Sequence, residues 1–96
     1  MTFSQIGGAR LGIFNATWPL AKLAADPDEL KLWVMGIKFA FPKASITKIS
    51  VYSALISKGL RIEHDGNSKA PRFVVFWTPN LSKLTEGLAQ LGYQVT

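Results

Sequence analysis

The stretch that decides the fold runs from Leu30 to Pro42: Leu30-Lys31-Leu32-Trp33-Val34-Met35, then Gly36, then Ile37-Lys38-Phe39-Ala40-Phe41-Pro42. Leu30, Leu32 and Val34 alternate with Lys31, Trp33 and Met35, so the apolar set falls on one face of an extended chain. After Gly36 the same period returns, with Ile37, Phe39 and Phe41 alternating against Lys38, Ala40 and Pro42. Two period-two runs joined across one glycine read as a β-hairpin with a tight turn.

Working toward the N-terminus, Asp26-Pro27-Asp28 is a turn cluster that ends a preceding strand around Trp18 to Ala24. Pro19 lies within that strand, which restricts it to an edge or a bulge. Arg10 to Asn15 reads as the first strand, with Asn15-Ala16 turning into the second. Residues 1–8, with the Gly7-Gly8 pair, read as a flexible or loosely attached start, and the chain is expected to begin near Met1 without a secretory signal. Gly7, Gly8 and Gly12 lack the lysine and the strand-to-helix setting of a phosphate loop.

Toward the C-terminus, Pro42-Lys43-Ala44-Ser45 turns into a fifth strand from Ile46 to Tyr52. Leu60 to Asp65 makes a sixth, ended by the turn residues Asp65-Gly66-Asn67. Arg72 to Trp77 makes a seventh. Its Phe73-Val74-Val75-Phe76-Trp77 run is apolar throughout, so both faces are covered or one meets a partner. Leu81, Leu84, Leu88 and Leu91 then recur at helical spacing, with Asn80 or Thr78 as N-cap and Gly92 as the left-handed residue at the end. The expected fold is mainly β with one C-terminal α-helix that closes one end of a strongly bent seven-stranded sheet.

The 96 residues suit one domain, 48% hydrophobic and 18% charged, which is a folding composition with a lean polar surface. No cysteine occurs, which excludes a disulfide framework and thiolate chemistry and points to a cytoplasmic setting. Lysines interrupt every apolar stretch, so no transmembrane segment is expected. Eleven basic residues against six acids give a net charge of +5, spread along the chain and not gathered into a nucleic-acid arm. Asn15-Ala16-Thr17 matches the glycosylation tripeptide and is read as a turn.

The stretch from Phe41-Pro42 through Ile46 to Ile49, then Gly59-Leu60-Arg61-Ile62, Phe73-Val74-Val75-Phe76 and the leucine helix, resembles bacterial PH-like and GRAM-like domains. The resemblance covers most of the chain. It implies a seven-stranded, partly open barrel capped by the helix, a fold that hosts lipid, peptide and protein binding as well as structural roles. Phosphoinositide-binding members carry a basic motif between the first two strands. Asn15-Ala16-Thr17-Trp18 stands there instead, so that headgroup site does not carry over.

No constellation for catalysis or metal binding emerges. The single histidine, His64, adjoins Asp65 on a strand, where neighbours point to opposite faces, and three of the six acids crowd one turn. The expectation is therefore no enzyme, no cofactor and no metal. Two groups remain as candidate sites. Asn15, Lys38, Lys69 and Arg72 are grouped as a ligand site for anionic lipid or another phosphate-bearing ligand at one barrel end. Trp18, Trp33, Met35 and Phe76, large apolar residues on the outward phase of strands, are grouped as an interface for a protein partner or another copy of the chain. The leading expectation is a non-catalytic binding or assembly module. A peripheral binder of anionic membrane is the alternative.

Overall fold

A computed structural model describes residues 2–55, 57–66 and 69–96; Met1 and Asn67, each part of an expectation above, lie outside them. Seven strands precede one helix: β1 (Phe3–Leu11), β2 (Phe14–Ala25), β3 (Glu29–Val34), β4 (Ile37–Pro42), a 3-10 turn (Lys43–Ser45), β5 (Ile46–Ser53), β6 (Lys58–His64), β7 (Val74–Trp77) and α1 (Leu81–Gln90). All neighbouring strands are antiparallel in one open sheet of order β4-β3-β2-β1-β7-β6-β5. No helix of the described residues is long and apolar enough to cross a membrane.

The β3–β4 hairpin forms as its alternation requires. Val34 pairs with Ile37 across the two residues Met35 and Gly36, whose φ values of +50° and +84° are those of a type I′ turn. Leu30, Leu32, Val34 and Phe41 are buried on the inner face. The β2–β3 turn is held by the Asp26 carboxylate, which accepts the N–H groups of Asp28 at 2.8 Å and Glu29 at 3.0 Å. Those bonds favour the ionised form and hold the Asp26 pKa below its ordinary value.

The N-terminal segment corrects the expectation. Residues 3–8 are not loosely attached but form most of β1, and the β1–β2 turn falls at Gly12-Ile13, where Gly12 takes φ +61°, and not at Asn15-Ala16. Between the pairs Gly7↔Ala21 and Ala9↔Ala16, two steps along β1 face five along β2, so Thr17 to Leu20 bulge outward, with the Trp18–Pro19 peptide cis. The glycines permit a very close approach. A Cβ on Gly7 would stand 2.1 Å from the Trp77 carbonyl oxygen, and one on Gly59 would stand 2.3 Å from that of Phe76.

The sheet curls until its two halves meet. Phe41 of edge strand β4 lies 5.3 Å from the His64 ring of β6, centroid to centroid, and one core contains residues of every strand. Helix α1 covers one end of this curl. Asn80 caps it by accepting the Lys83 N–H at 3.1 Å. At its other end the Gly92 N–H reaches the Ala89 carbonyl and the Tyr93 N–H reaches that of Leu88, the paired bonds of a Schellman motif. Leu84 and Leu88 are buried, and the Phe3 ring packs against Gly87. The Tyr93 hydroxyl donates to the Asp26 carbonyl at 2.7 Å, which ties the helix end to the β2–β3 turn. Burial first, then the charges of Asp26, Asp28 and Glu29, push the Tyr93 pKa up to about 12.

Gly7→Ala is expected to lower stability in urea unfolding by about 1–3 kcal/mol, the usual range for forcing atoms into a packed site. A loss below a few tenths of a kcal/mol would show that β1 and β7 approach less closely than this.

Candidate docking surface at the uncovered end

Helix α1 lies at the Phe3 and Asp26 end of the curl, and among the described residues no element covers the opposite end. There the inner-phase side chains of two hairpins come together. Leu11 and Phe14 flank the Gly12-Ile13 turn, and Val34, Met35, Ile37 and Phe39 surround the Met35-Gly36 turn. These six residues line one apolar cleft of about 400 Å³. Leu11 and Val34 are buried at its floor, whereas Ile37 is 61% and Met35 58% exposed at the rim, with Ile13 100% exposed on the neighbouring turn. An exposed apolar patch on a small domain is a candidate contact surface.

Pro71 and Phe73, which precede β7, pack beside the β1–β2 turn. The Gly12 N–H donates to the Phe73 carbonyl at 2.9 Å, and the Pro71 ring lies against Gly12. His64 straps the β6–β7 connection from within. Its Nδ1 accepts the Gly66 N–H, and its Nε2 donates to the Pro71 carbonyl at 2.9 Å. Both ring nitrogens are thereby used in shaping the loop. Among the described residues, no three His, Asp or Glu side chains converge as metal ligands would.

The charged residues are unevenly placed. Arg10, Lys38, Lys69 and Arg72 stand in or beside the turns of the uncovered end, with Asp65 in the same β6–β7 connection, whereas Asp26, Asp28 and Glu29 stand in the β2–β3 turn near the helix, where Lys43 reaches the Tyr93 ring. The Arg10 and Arg61 guanidinium groups each lie 5.0 Å from the centroid of the Phe73 ring. Lys38 and Lys22 flank Trp33 in one cross-strand row, at 5.8 and 5.5 Å from its ring.

The residues grouped from sequence therefore separate. Lys38, Lys69 and Arg72 stand at the uncovered end, and Asn15, paired with Arg10 beside the same β1–β2 turn, faces a different cleft. Its Oδ1 accepts the Trp77 indole N–H at 2.8 Å, and it lines a second cleft, of about 530 Å³, with Gly8, Trp18, Lys58 and Trp77. Of the four interface residues, Met35 stands on the rim and Trp18 is 63% exposed on the β2 bulge. Trp33 is half-buried between its two lysines. Phe76 corrects the expectation: it is 0% exposed, because β7 is a central strand between β1 and β6 and its Phe76 ring faces the core.

Comparison of the chain with protein-family models, with curated proteins and with solved structures gave no match. Sequence reading passed over Phe14, Ile37 and Phe39, whose inner phase marks them as core. Phe39 is half-buried against the core, whereas Phe14 and Ile37 stand exposed beyond the reach of the helix.

Replacing Phe14 and Ile37 together by serine is expected to change stability by less than about 1 kcal/mol, as surface positions do, and to abolish most of the binding of an apolar fluorescent dye. Unchanged dye fluorescence would place the accessible apolar surface elsewhere.

Proposed function

We propose that the chain is a non-catalytic PH-like docking module that engages a protein partner through the uncovered end of its curled sheet. The PH-like part of this reading rests on the element order, seven antiparallel strands followed by a helix across one end, together with the motif resemblance. The docking part rests above all on Met35.

The first central position of a type I′ turn requires positive φ, which favours Asn, Asp or Gly, and a residue with a long side chain there is strained by about 1 kcal/mol or more. Met35 occupies that position at φ +50° and gains only partial burial in return, since it stands 58% exposed. Strain held without packing gain is a feature of contact sites. Methionine also suits an adaptable apolar contact, because its unbranched side chain repacks readily. The same rim carries Ile37 and, on the adjoining turn, Ile13 and Phe14.

The basic residues at this end favour an acidic partner, which a protein or an anionic membrane offers alike. A protein is preferred because the apolar surface is concave, a cleft with a buried floor and an exposed rim, and because the adjoining edge strand carries backbone groups that hydrocarbon leaves unsatisfied.

Met35→Asn separates fold from function. It is expected to raise stability by about 0.5–1 kcal/mol, by giving the turn a residue suited to positive φ, while peptides selected from a random displayed library on the unaltered chain lose binding to it. Flotation on vesicles with and without anionic lipid runs in parallel. Selected peptides indifferent to Met35→Asn, or no selected peptides and salt-sensitive vesicle binding, would contradict the proposal, the second result in favour of a membrane surface.

A further inference from the structure

The two edges of the sheet are treated differently. At β5 the chain's own last residues run alongside. The Thr96 N–H donates to the Ile49 carbonyl at 2.9 Å, the Val51 N–H donates to the Thr96 carbonyl at 3.1 Å, and Ile49 bridges in parallel with Val95. At β4 nothing comparable is present among the described residues.

The register tells which groups are bare. In a hairpin closed by a two-residue turn, the flanking pair Val34↔Ile37 is hydrogen-bonded, and so, by alternation, are Leu32↔Phe39 and Leu30↔Phe41. Lys38 and Ala40 therefore turn their N–H and C=O groups away from β3. Among the described residues, none of the turn, loop or cap hydrogen bonds reaches them. The next residue in this phase, Pro42, has no N–H, and its carbonyl accepts the Ser45 hydroxyl at 2.7 Å, which ends the bare stretch.

The side chains beside these four groups state what would pair with them. On the outer face Lys38 continues the row Lys22, Trp33, Lys38, and neither lysine meets a carboxylate within ion-pair distance among the described residues. On the inner face Ile37 and Phe39 border the apolar cleft. A second copy of this chain fits poorly, because β4 against β4 gathers two such lysine rows on one face.

We infer that β4 accepts an added strand from another protein, an extended segment alternating Asp or Glu with large apolar residues. Its acids lie on the outer face beside Lys38, the outermost residue of that row. Its apolar side chains enter the cleft over Phe39 and Ile37, and its backbone completes the hydrogen bonds of Lys38 and Ala40. This rests on the protein-docking reading above and gives that reading its partner chemistry.

The probe is a short capped peptide alternating Glu with Leu, titrated into the full chain, with a Lys–Leu peptide as its charge-reversed control. Binding of the Glu–Leu peptide is expected, with slowed exchange of the Lys38 and Ala40 amides. Ala40→Pro removes only an outward N–H, leaves the β3 ladder intact and suits an edge strand; it is expected to weaken binding about tenfold or more, the equivalent of about 1.4 kcal/mol. Lys38→Glu keeps the backbone and is expected to reverse the preference toward the Lys–Leu peptide. Equal affinity for Ala40→Pro and the unaltered chain overturns strand addition while leaving docking at the cleft intact. No binding of the Glu–Leu peptide to the unaltered chain overturns it as well, and the library selection judges the docking reading separately.

Discussion

The rest of the structure depends on how closely β7 passes between β1 and β6. Trp77 pairs with Gly8 on one side and Gly59 on the other, and Gly7 lies against the Trp77 carbonyl and the Phe76 ring. A Cβ at Gly7 or Gly59 would overlap backbone oxygen, so no other residue type fits without moving a strand. This approach lets a sheet of seven strands curl far enough for β4 to meet β6. It also turns Phe76 into the centre of the core, where nothing of its ring reaches solvent.

From that curl follow both a core and a vacancy in its cover. One ten-residue helix is long enough to seal only one end. At the other end, residues that belong to the inner face by phase remain open to solvent, and the cleft of Leu11, Phe14, Val34, Met35, Ile37 and Phe39 is the result. Strain at Met35, the surplus of basic residues on the surrounding turns and the bare backbone of β4 all fall at this end. Each has its own physical origin, which is why their coincidence carries weight.

Much of the fold was legible because local rules governed it. The 30–42 hairpin announced itself through strict alternation around Gly36, and the helix through leucine spacing, an Asn cap and a terminal glycine. The N-terminal strand was not legible. A Gly-Gly pair reads as flexibility from sequence alone, whereas both glycines serve close strand contact, Gly7 against Phe76 and Trp77 of distant β7 and Gly8 against Ala16 to Trp18 of the β2 bulge. Phe76 was misassigned for a related reason, since a run apolar at every position carries no phase. Of the candidate site, Lys38, Lys69, Arg72 and Met35 were legible as a charged end and an exposed turn. Phe14 and Ile37 were hidden by their core-like phase, and Asn15 by the displacement of the turn to Gly12-Ile13.

Strand addition requires β4 to be a bare edge beside an open cleft, as it is among the described residues. Native-state amide hydrogen exchange of the chain alone tests this most directly. Protection should alternate along β4, with the Phe39 and Phe41 amides slow because they bond to β3 and the Lys38 and Ala40 amides fast because they face solvent. Uniform protection across all four amides would mean that the edge is already covered, and the account would fail there.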